Sequence, residues 1–195
     1  MGISGKVEKF IDGAEAFASS IPIIRRYSGG GTVIVDEDTL FVSFIFQKKI
    51  HPFPCYPKSL LLWSERLYKR ALGLSQFHLR ENDYVIGEKK CGGNAQYMQK
   101  DRCVHHTTFL WDFQLHLMQC LLYPEKTPAY RAGRSHSDFL CRMKNHLLHR
   151  ETLFEALKAT LKREFHLRDV PLSKVLPLLS KDYRRGTHLV THFKR

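Results

Sequence analysis

Several features that are common in small proteins are missing from this chain of 195 residues, and each absence excludes a class of protein. The chain contains the five cysteines Cys55, Cys91, Cys103, Cys120 and Cys141. An odd number of cysteines without C-x-x-C spacing argues against a disulfide framework or a zinc ribbon and suits a reducing compartment. No apolar run approaches the ~18 residues that a membrane span needs, and no signal peptide is recognisable. We therefore expect a cytoplasmic protein, or one of an organelle matrix if the source is eukaryotic.

Acidic residues are scarce relative to basic ones: the chain has 19 acidic and 31 basic residues, which gives a net charge of +12. A basic surface attracts nucleic acid, a membrane or an acidic protein. The chain has no helix-turn-helix, no ribonucleoprotein aromatic motif and no zinc finger, so we expect no nucleic-acid partner. The lack of a long apolar run leads us to expect no membrane either.

The common phosphate-binding motifs are also missing, since neither the P-loop nor G-x-G-x-x-G occurs. In their place, Arg25 and Arg26 precede the consecutive glycines Gly29, Gly30 and Gly31. Such glycines allow the backbone to approach a ligand closely and to turn N–H groups toward an anion, and arginine offers a planar fork of donors. A flexible turn beside a solvated arginine pair explains the same residues equally well, so this loop alone does not decide between the two.

The hydrophobic pattern predicts an α+β fold, with a mixed, mostly antiparallel sheet and helices packed on one face. Strands are expected at 32–35, 40–46, 77–79, 84–86 and 103–111. An apolar stripe from Leu60 to Leu74 predicts a helix that ends near Gly73. A second helix is expected from Ser135 through Leu147. A third is expected from a capping box at Thr152.

Further motifs follow the glycine loop in a specific order. Asn82 and Asp83 begin a strand, a turn leads to Lys89-Lys90-Cys91-Gly92-Gly93-Asn94-Ala95, and His105-His106 lie on the next strand. Together with Arg-Arg-Tyr-Ser-Gly-Gly-Gly, these segments resemble the lipoate–protein ligase A family, relatives of the biotin ligases. That family has an Arg-Arg-x-x-Gly-Gly-Gly loop, an Asn-Asp-Leu-like strand, a Lys-x-x-Gly-x-Ala motif and a His-His-Gly-Thr-Leu-like strand, in this order.

The resemblance extends over residues 21–146 and implies the fold and activity of a biotin/lipoate ligase-like catalytic domain. We expect that domain over residues 1–168, short of the helix and strand that open the family fold, followed by a basic tail over 169–195. The implied reaction joins lipoate to ATP, which makes lipoyl-AMP, and then passes the lipoyl group to a carrier lysine. The implied carriers are acidic lipoyl domains of 2-oxoacid dehydrogenase complexes or the glycine cleavage H protein, and an accessory protein is a further possible partner.

The resemblance also assigns roles to individual residues. Lys90 is the expected catalytic lysine, because the spacing to Gly93 and Ala95 favours it over Lys89. It would bridge the lipoate carboxylate and the α-phosphate. The expected nucleotide-binding residues are Arg26, Gly29, Gly30, Gly31, Thr32, Val33, Ile34, Asn82, Asp83 and Lys90. Mg²⁺ is expected with the triphosphate, and no metal site made of protein ligands is assigned, with Asp83 the one weak candidate ligand.

Several alternatives stay open on the sequence alone. Cys91 is either an acyl-bearing nucleophile or a small apolar residue of the turn, and Gly92 and Gly93 are expected to permit that turn. His105 and His106 act directly or are a packed strand pair. A transferase that needs no ATP and a non-catalytic relative that only binds lipoyl domains are the competing functions. Biotin ligase is disfavoured because a Gly-Arg-Gly-Arg-like loop is missing.

Overall fold

The computed structural model describes residues 1–50, 54–124, 127–181 and 186–191. Its α-helices are α1 (Val7–Phe10), α2 (Gly13–Ala18), α3 (Pro57–Leu72), α4 (His136–Phe139), α5 (Arg150–Leu161) and α6 (Leu176–Leu179). Its strands are β1 (Ile24–Arg25), β2 (Thr39–Gln47), β3 (Phe77–Arg80), β4 (Asp83–Ile86), β5 (Lys89–Met98), β6 (Arg102–Leu110) and β7 (His188–Leu189). Short 3₁₀ helices occur at Lys48–Ile50, Leu117–Cys120, Ala129–Arg131, Met143–Asn145 and Leu172–Lys174.

Five strands form one antiparallel sheet in the order β2-β6-β5-β4-β3. Strands β3 to β6 follow one another along the chain as a meander, and β2 lies beside β6. The turn between β4 and β5 is Gly87-Glu88, in which Gly87 has a φ of +59° that favours glycine. The predicted α+β class and the predicted strands at 40–46, 77–79, 84–86 and 103–111 are confirmed.

The two long helices, α3 and α5, pack on one face of this sheet. Because side chains alternate along a strand, Tyr84 and Ile86 point to this face, where they meet Trp63 and Tyr68 of α3 and Leu153 of α5. Gly73 ends α3 in the left-handed conformation with φ +66°, as its position after the apolar stripe predicts. Packing of these aromatic rings against the helices covers one face of the sheet, and the helices do not cover the other face.

The second face of the sheet is partly covered by the N-terminal segment and by the segment after β6. Val85 of β4 and Leu110 of β6 belong to a core cluster with Ile34, Val7 and Phe139. Alternation therefore divides β4 between two cores, with Val85 on this face and its neighbours on the helix face. The rest of this face carries the polar side chains described below.

Three local predictions were wrong. Residues 32–35 have no regular secondary structure, because no described strand pairs with them and β-propensity alone does not form a ladder. The helix expected from Ser135 to Leu147 breaks after α4, since Leu140 extends to bridge Lys90 of β5. Helix α5 begins at Arg150, so Thr152 lies inside it rather than capping it.

The C-terminal part of the described chain contacts the start of the glycine loop. Strand β7 pairs with β1 through Ile24 with Leu189 and Arg25 with His188. The boundary expected at residue 168 stays a prediction. Within the described residues, no helix has the length and apolar character that crossing a membrane requires.

Candidate functional site

The site begins with an irregularity in β5. The register pairs Tyr84 with Gly92 but Val85 with Lys90, so Cys91 is an extra residue in β5, opposite no partner of its own. In a regular strand Lys90 and Gly93 would point to opposite faces of the sheet. The bulge places both on the face away from α3 and α5, next to Asp83, because one extra residue reverses the alternation.

Lys90 is held by a carboxylate on the neighbouring strand. Its Nζ lies 2.8 Å from Asp83 Oδ1, and the side chains are 25% and 11% exposed. The other oxygen of Asp83, Oδ2, accepts a hydrogen bond of 2.9 Å from the phenol of Tyr130. Burial and the charge of Asp83 raise the pKa of Tyr130, so the phenol keeps its proton and donates a hydrogen bond to the carboxylate. The ammonium of Lys90 is therefore fixed at a half-buried position and still reaches solvent.

The two glycines that follow Lys90 lie inside β5 and make no turn, which corrects the prediction. A methyl group at Gly92 would lie 2.8 Å from Cδ1 of the Phe109 ring, so only glycine fits against this core residue. A methyl group at Gly93 would lie 3.4 Å from Lys90 Nζ, on the opposite face of the sheet. Gly92 therefore serves the packing of the bulge, whereas a methyl group at Gly93 would meet the lysine side chain only at van der Waals distance.

The glycine loop is braced by Arg26. The guanidinium Nη2 donates to the carbonyl of Gly31 at 2.9 Å and to that of Gly29 at 3.3 Å. Its Nε is buried without a hydrogen-bond partner among the described residues. Burial lowers the pKa of Arg26 from its ordinary value, although arginine stays charged in proteins. A permanent cation with an unused buried donor suits an anionic ligand, since an unpaired buried N–H is costly.

The glycine loop and the lysine motif meet directly. Gly30 has a φ of +105°, and a methyl group there would lie 3.3 Å from the Cβ of Ala95 and 3.2 Å from Arg26 Nη2. Ala95 is the alanine of the Lys-x-x-Gly-x-Ala motif, on the same face as Gly93 and two residues beyond it. The fold therefore brings the glycine loop and the lysine motif together on one face of the sheet. The two cations of these motifs, Arg26 and Lys90, lie on this face.

The paired histidines point to opposite faces of the sheet. His105 is fully buried on the helix face, where its Nε2 lies 3.3 Å from Tyr84 Oη and its Nδ1 lies 3.0 Å from Gln96 Nε2. Burial lowers its pKa to about 4, so it is a neutral core residue near pH 7. His106 lies on the site face, with Nδ1 2.6 Å from Ser43 Oγ, and burial and the charge of Arg26 lower its pKa. Only His106 is placed to face a ligand.

Cys91 has the environment of a structural cysteine. It is fully buried on the helix face, and its thiol donates to the carbonyl of Tyr84 at 3.4 Å. Burial raises the pKa of this thiol, and the neighbouring Cys141 thiol raises it further. A nucleophilic cysteine needs a lowered pKa and access to substrate, and Cys91 has neither. The structure therefore favours the packing role over the acyl-bearing role.

The remaining predicted residues differ in what they present. Ile34 is buried in the core, Thr32 is half-buried and Val33 is 40% exposed. Asn82 is exposed, and its backbone carbonyl accepts a hydrogen bond of 3.0 Å from Asn94 Nδ2. Asp83 contacts Lys90 rather than presenting two free oxygens. Tyr130 was missed at the sequence level, because no motif links it to Asp83.

Asp83 was the candidate metal ligand in the sequence, and its surroundings bear on whether side chains could hold an ion here. Among the residues that the structure describes, no three His, Cys, Asp or Glu side chains are grouped as a metal site. Both oxygens of Asp83 are engaged, by Lys90 and by Tyr130.

Comparison with known proteins gives a family match and distant relatives. The lipoyl protein ligase A/B catalytic domain matches residues 1–166. The inactive lipoate–protein ligase 2 of Plasmodium falciparum is 31% identical over 175 residues, which is 72% of this chain and 46% of that protein. The chain therefore spans about half the length of this curated relative.

Two solved structures share the fold. One is a bi-partite lipoate protein ligase of Thermoplasma acidophilum, studied with its E2 lipoyl domain. It superposes with a TM-score of 0.73 at 20% identity, over 87% of this chain and 69% of that one. The other is a lipoate–protein ligase A bound with ATP, with a TM-score of 0.71 at 18% identity, over 90% and 73% of the two chains. At these identities the likeness shows the fold alone.

Proposed function

The chain belongs to the lipoyl protein ligase A/B catalytic domain family, and from this premise we propose that it is a lipoate–protein ligase. It activates lipoate with ATP to form lipoyl-AMP and transfers the lipoyl group to a lysine of an acidic lipoyl domain. The observation that carries the proposal is the contact between Gly30 and Ala95, which joins the loop of Arg26 to the strand of Lys90. The two cations that an adenylation needs are thereby on one face of the sheet.

The charges of this face suit the first step. The lipoate carboxylate attacks the α-phosphorus and pyrophosphate leaves, so two anions must approach each other. Lys90 has three donors on its ammonium, and Asp83 accepts one of them, so others remain for the carboxylate and the α-phosphate. Arg26 offers its unused Nε to the nucleotide. The backbone of Gly29 to Gly31 approaches the same ligand without side chains between.

In the second step the neutral amine of a carrier lysine attacks the acyl carbon of lipoyl-AMP. AMP leaves with the bonding electrons, and the nitrogen loses a proton to solvent to form the amide. The charge of +12 favours the approach of an acidic carrier. The Thermoplasma ligase is described with an E2 lipoyl domain, which supports this class of partner. The lipoyl domains of 2-oxoacid dehydrogenases and the glycine cleavage H protein are the proposed carriers.

ATP and Mg²⁺ are the proposed cofactors. The unpaired donor of Arg26 and the glycine backbone fit an anionic nucleotide, and a ligase of the same fold binds ATP. Mg²⁺ is commonly held by phosphate oxygens and water rather than by an all-protein cage. With Asp83 engaged by Lys90 and Tyr130, the phosphates are the proposed source of most ligands to this ion.

Mass spectrometry of a lipoyl domain tests the proposal. The domain is incubated with this protein, ATP and lipoate. Parallel reactions omit one component at a time, and a further reaction contains lipoyl-AMP in place of ATP and lipoate. Lys90→Ala is expected to slow transfer by about 10²–10³-fold, as for other groups that stabilise charge in a transition state. Lys89→Ala is the matched control, because Lys89 is exposed, and it is expected to retain activity.

A second candidate is a non-catalytic relative that only binds lipoyl domains, favoured by the name of the inactive Plasmodium protein. It predicts no modification in any reaction, lipoyl-AMP included. Modification only from lipoyl-AMP would indicate that a second protein performs the adenylation, in keeping with the bi-partite Thermoplasma ligase. Modification from an octanoylated or lipoylated carrier without ATP would identify a transferase.

A further inference from the structure

We infer that Tyr130 is a positioning residue that orients Lys90 through Asp83, an inference that rests on the proposed function. The phenol of Tyr130 donates to Asp83 Oδ2 at 2.9 Å, and the other carboxylate oxygen lies 2.8 Å from Lys90 Nζ. The three groups therefore form one chain of contacts that ends at the reacting ammonium. The hydroxyl of Tyr130 donates to Asp83, so the proposed effect of this hydroxyl on Lys90 passes through the carboxylate.

Tyr130 is itself held on several sides. Its backbone N–H donates to Glu81 Oε1 at 3.2 Å, and its carbonyl accepts from Arg134 Nη2 at 2.8 Å. The ring lies 5.1 Å from that of Phe139 and 4.9 Å below the guanidinium of Arg80. With the residue only 8% exposed, its hydroxyl has little freedom to leave Asp83. A rigid donor fixes the plane of the carboxylate, and the carboxylate then fixes the lysine.

Lys90 needs such support because a lysine ammonium stands on a flexible four-carbon stem. Among the described residues, the carboxylate of Asp83 makes the ionic contact that holds this ammonium. Reaction rates are sensitive to small misplacements of a catalytic group. Arg26 and the glycine loop, which also bind the ligand in the proposed function, are not altered by loss of the Tyr130 hydroxyl. Loss of the hydroxyl is therefore expected to lower kcat and to leave KM for lipoate and ATP nearly unchanged.

A double-mutant cycle with Tyr130→Phe and Asp83→Asn tests the inference. Tyr130→Phe keeps the ring and its packing and removes the donor alone. We expect it to lower kcat by about tenfold or more with less than a twofold change in KM, and to have no further effect in Asp83→Asn. Tyr123→Phe is the matched control, since Tyr123 is 53% exposed and contacts Arg131 rather than Asp83. Its kinetics are expected to equal those of the wild type.

A second measurement does not depend on activity. NMR relaxation of the Lys90 ammonium, assigned with Lys90→Arg, is expected to show a less ordered group in Tyr130→Phe at unchanged melting temperature. Unchanged order, or multiplicative effects of the two substitutions on kcat, would overturn the inference. A wild type that is inactive in every lipoylation reaction would instead overturn the proposed function, and the relaxation measurement would then decide the inference alone.

Discussion

Substitution of the two adjacent glycines of β5 by alanine compares how tightly the two faces of the sheet are packed at this site. In Gly92→Ala the new methyl group would lie 2.8 Å and 3.1 Å from two ring carbons of Phe109 and 3.2 Å from the carbonyl of Thr108. The ring cannot turn away easily, because Phe109 is fully buried with its centroid 4.9 Å from that of Tyr68. Gly92→Ala is therefore an overpacking substitution in the core.

The expected loss follows from two opposing effects. Overpacking costs ~1–3 kcal/mol in free energy of unfolding. The lower entropy of alanine in the unfolded chain offsets ~0.4–1 kcal/mol of this. The middle of these ranges leaves a net loss of about 1–2 kcal/mol. For a protein of this size each kcal/mol corresponds to about 2–4 °C in melting temperature, so we expect Gly92→Ala to melt roughly 2–8 °C lower than the wild type.

Gly93→Ala is the matched comparison, since its methyl group would lie 3.4 Å from Lys90 Nζ and 3.5 Å from Cε. The end of a lysine side chain can shift, so the melting temperature is expected to stay within about 2 °C of the wild type or to rise. Transfer to a lipoyl domain is expected to stay close to the wild-type rate, because the methyl group would meet the lysine at ordinary van der Waals distance. Calorimetry and the mass-spectrometric assay measure the two quantities. Equal melting temperatures for Gly92→Ala and wild type, or a loss of stability in Gly93→Ala as large as that in Gly92→Ala, would refute this interpretation of the bulge.

Two further outcomes are expected. Cys91→Ala should keep most lipoyl transfer while losing about 1 kcal/mol of stability to a small cavity, and loss of activity in a folded variant would point to a thioester instead. His105 should make stability depend on pH: its pKa is about 4 in the folded protein against 6.5 ordinarily, so the unfolded chain binds the proton first as pH falls. Stability is complete above about pH 6.5 and decreases toward pH 4, by roughly 2 kcal/mol between pH 8 and pH 5. Urea titrations should show this decrease reduced in His105→Gln, and an identical decrease in both proteins would contradict the burial of His105 as a neutral group.

Much of the fold could be predicted from the sequence, because those elements depend on local patterns. The apolar stripe of α3 and its stop at Gly73 follow from helical periodicity, and the strands of the meander follow from alternation and short turns. The strand expected at 32–35 failed because a strand also needs a partner. Strand β2 pairs with β6, β7 pairs with β1, and no described strand pairs with residues 32–35. Pairing across the chain is not visible in local propensity.

Features of the site that depend on pairing between distant residues could not be predicted from the sequence either. The glycine and lysine motifs could be recognised, but the bulge at Cys91 is a property of register between two strands and leaves no sign in either strand alone. Without the bulge Lys90 would point into the core beside Tyr84. Tyr130 reaches Asp83 from 47 residues away, and a single tyrosine in an irregular segment carries no pattern that would single it out.

The pairing of β1 with β7 has a consequence for the order in which the site assembles. Lys90 and Asp83 belong to a meander of strands adjacent along the chain, whose contacts close short loops and can form early. The segment that leads into Arg26 is completed by His188 and Leu189, near the other end of the described chain, which closes a loop of nearly the whole protein. The strands that carry Lys90 and Asp83 are therefore expected to form before β1 pairs with β7 next to Arg26. In the native protein, local unfolding is expected to open the β1–β7 pairing first and the meander last.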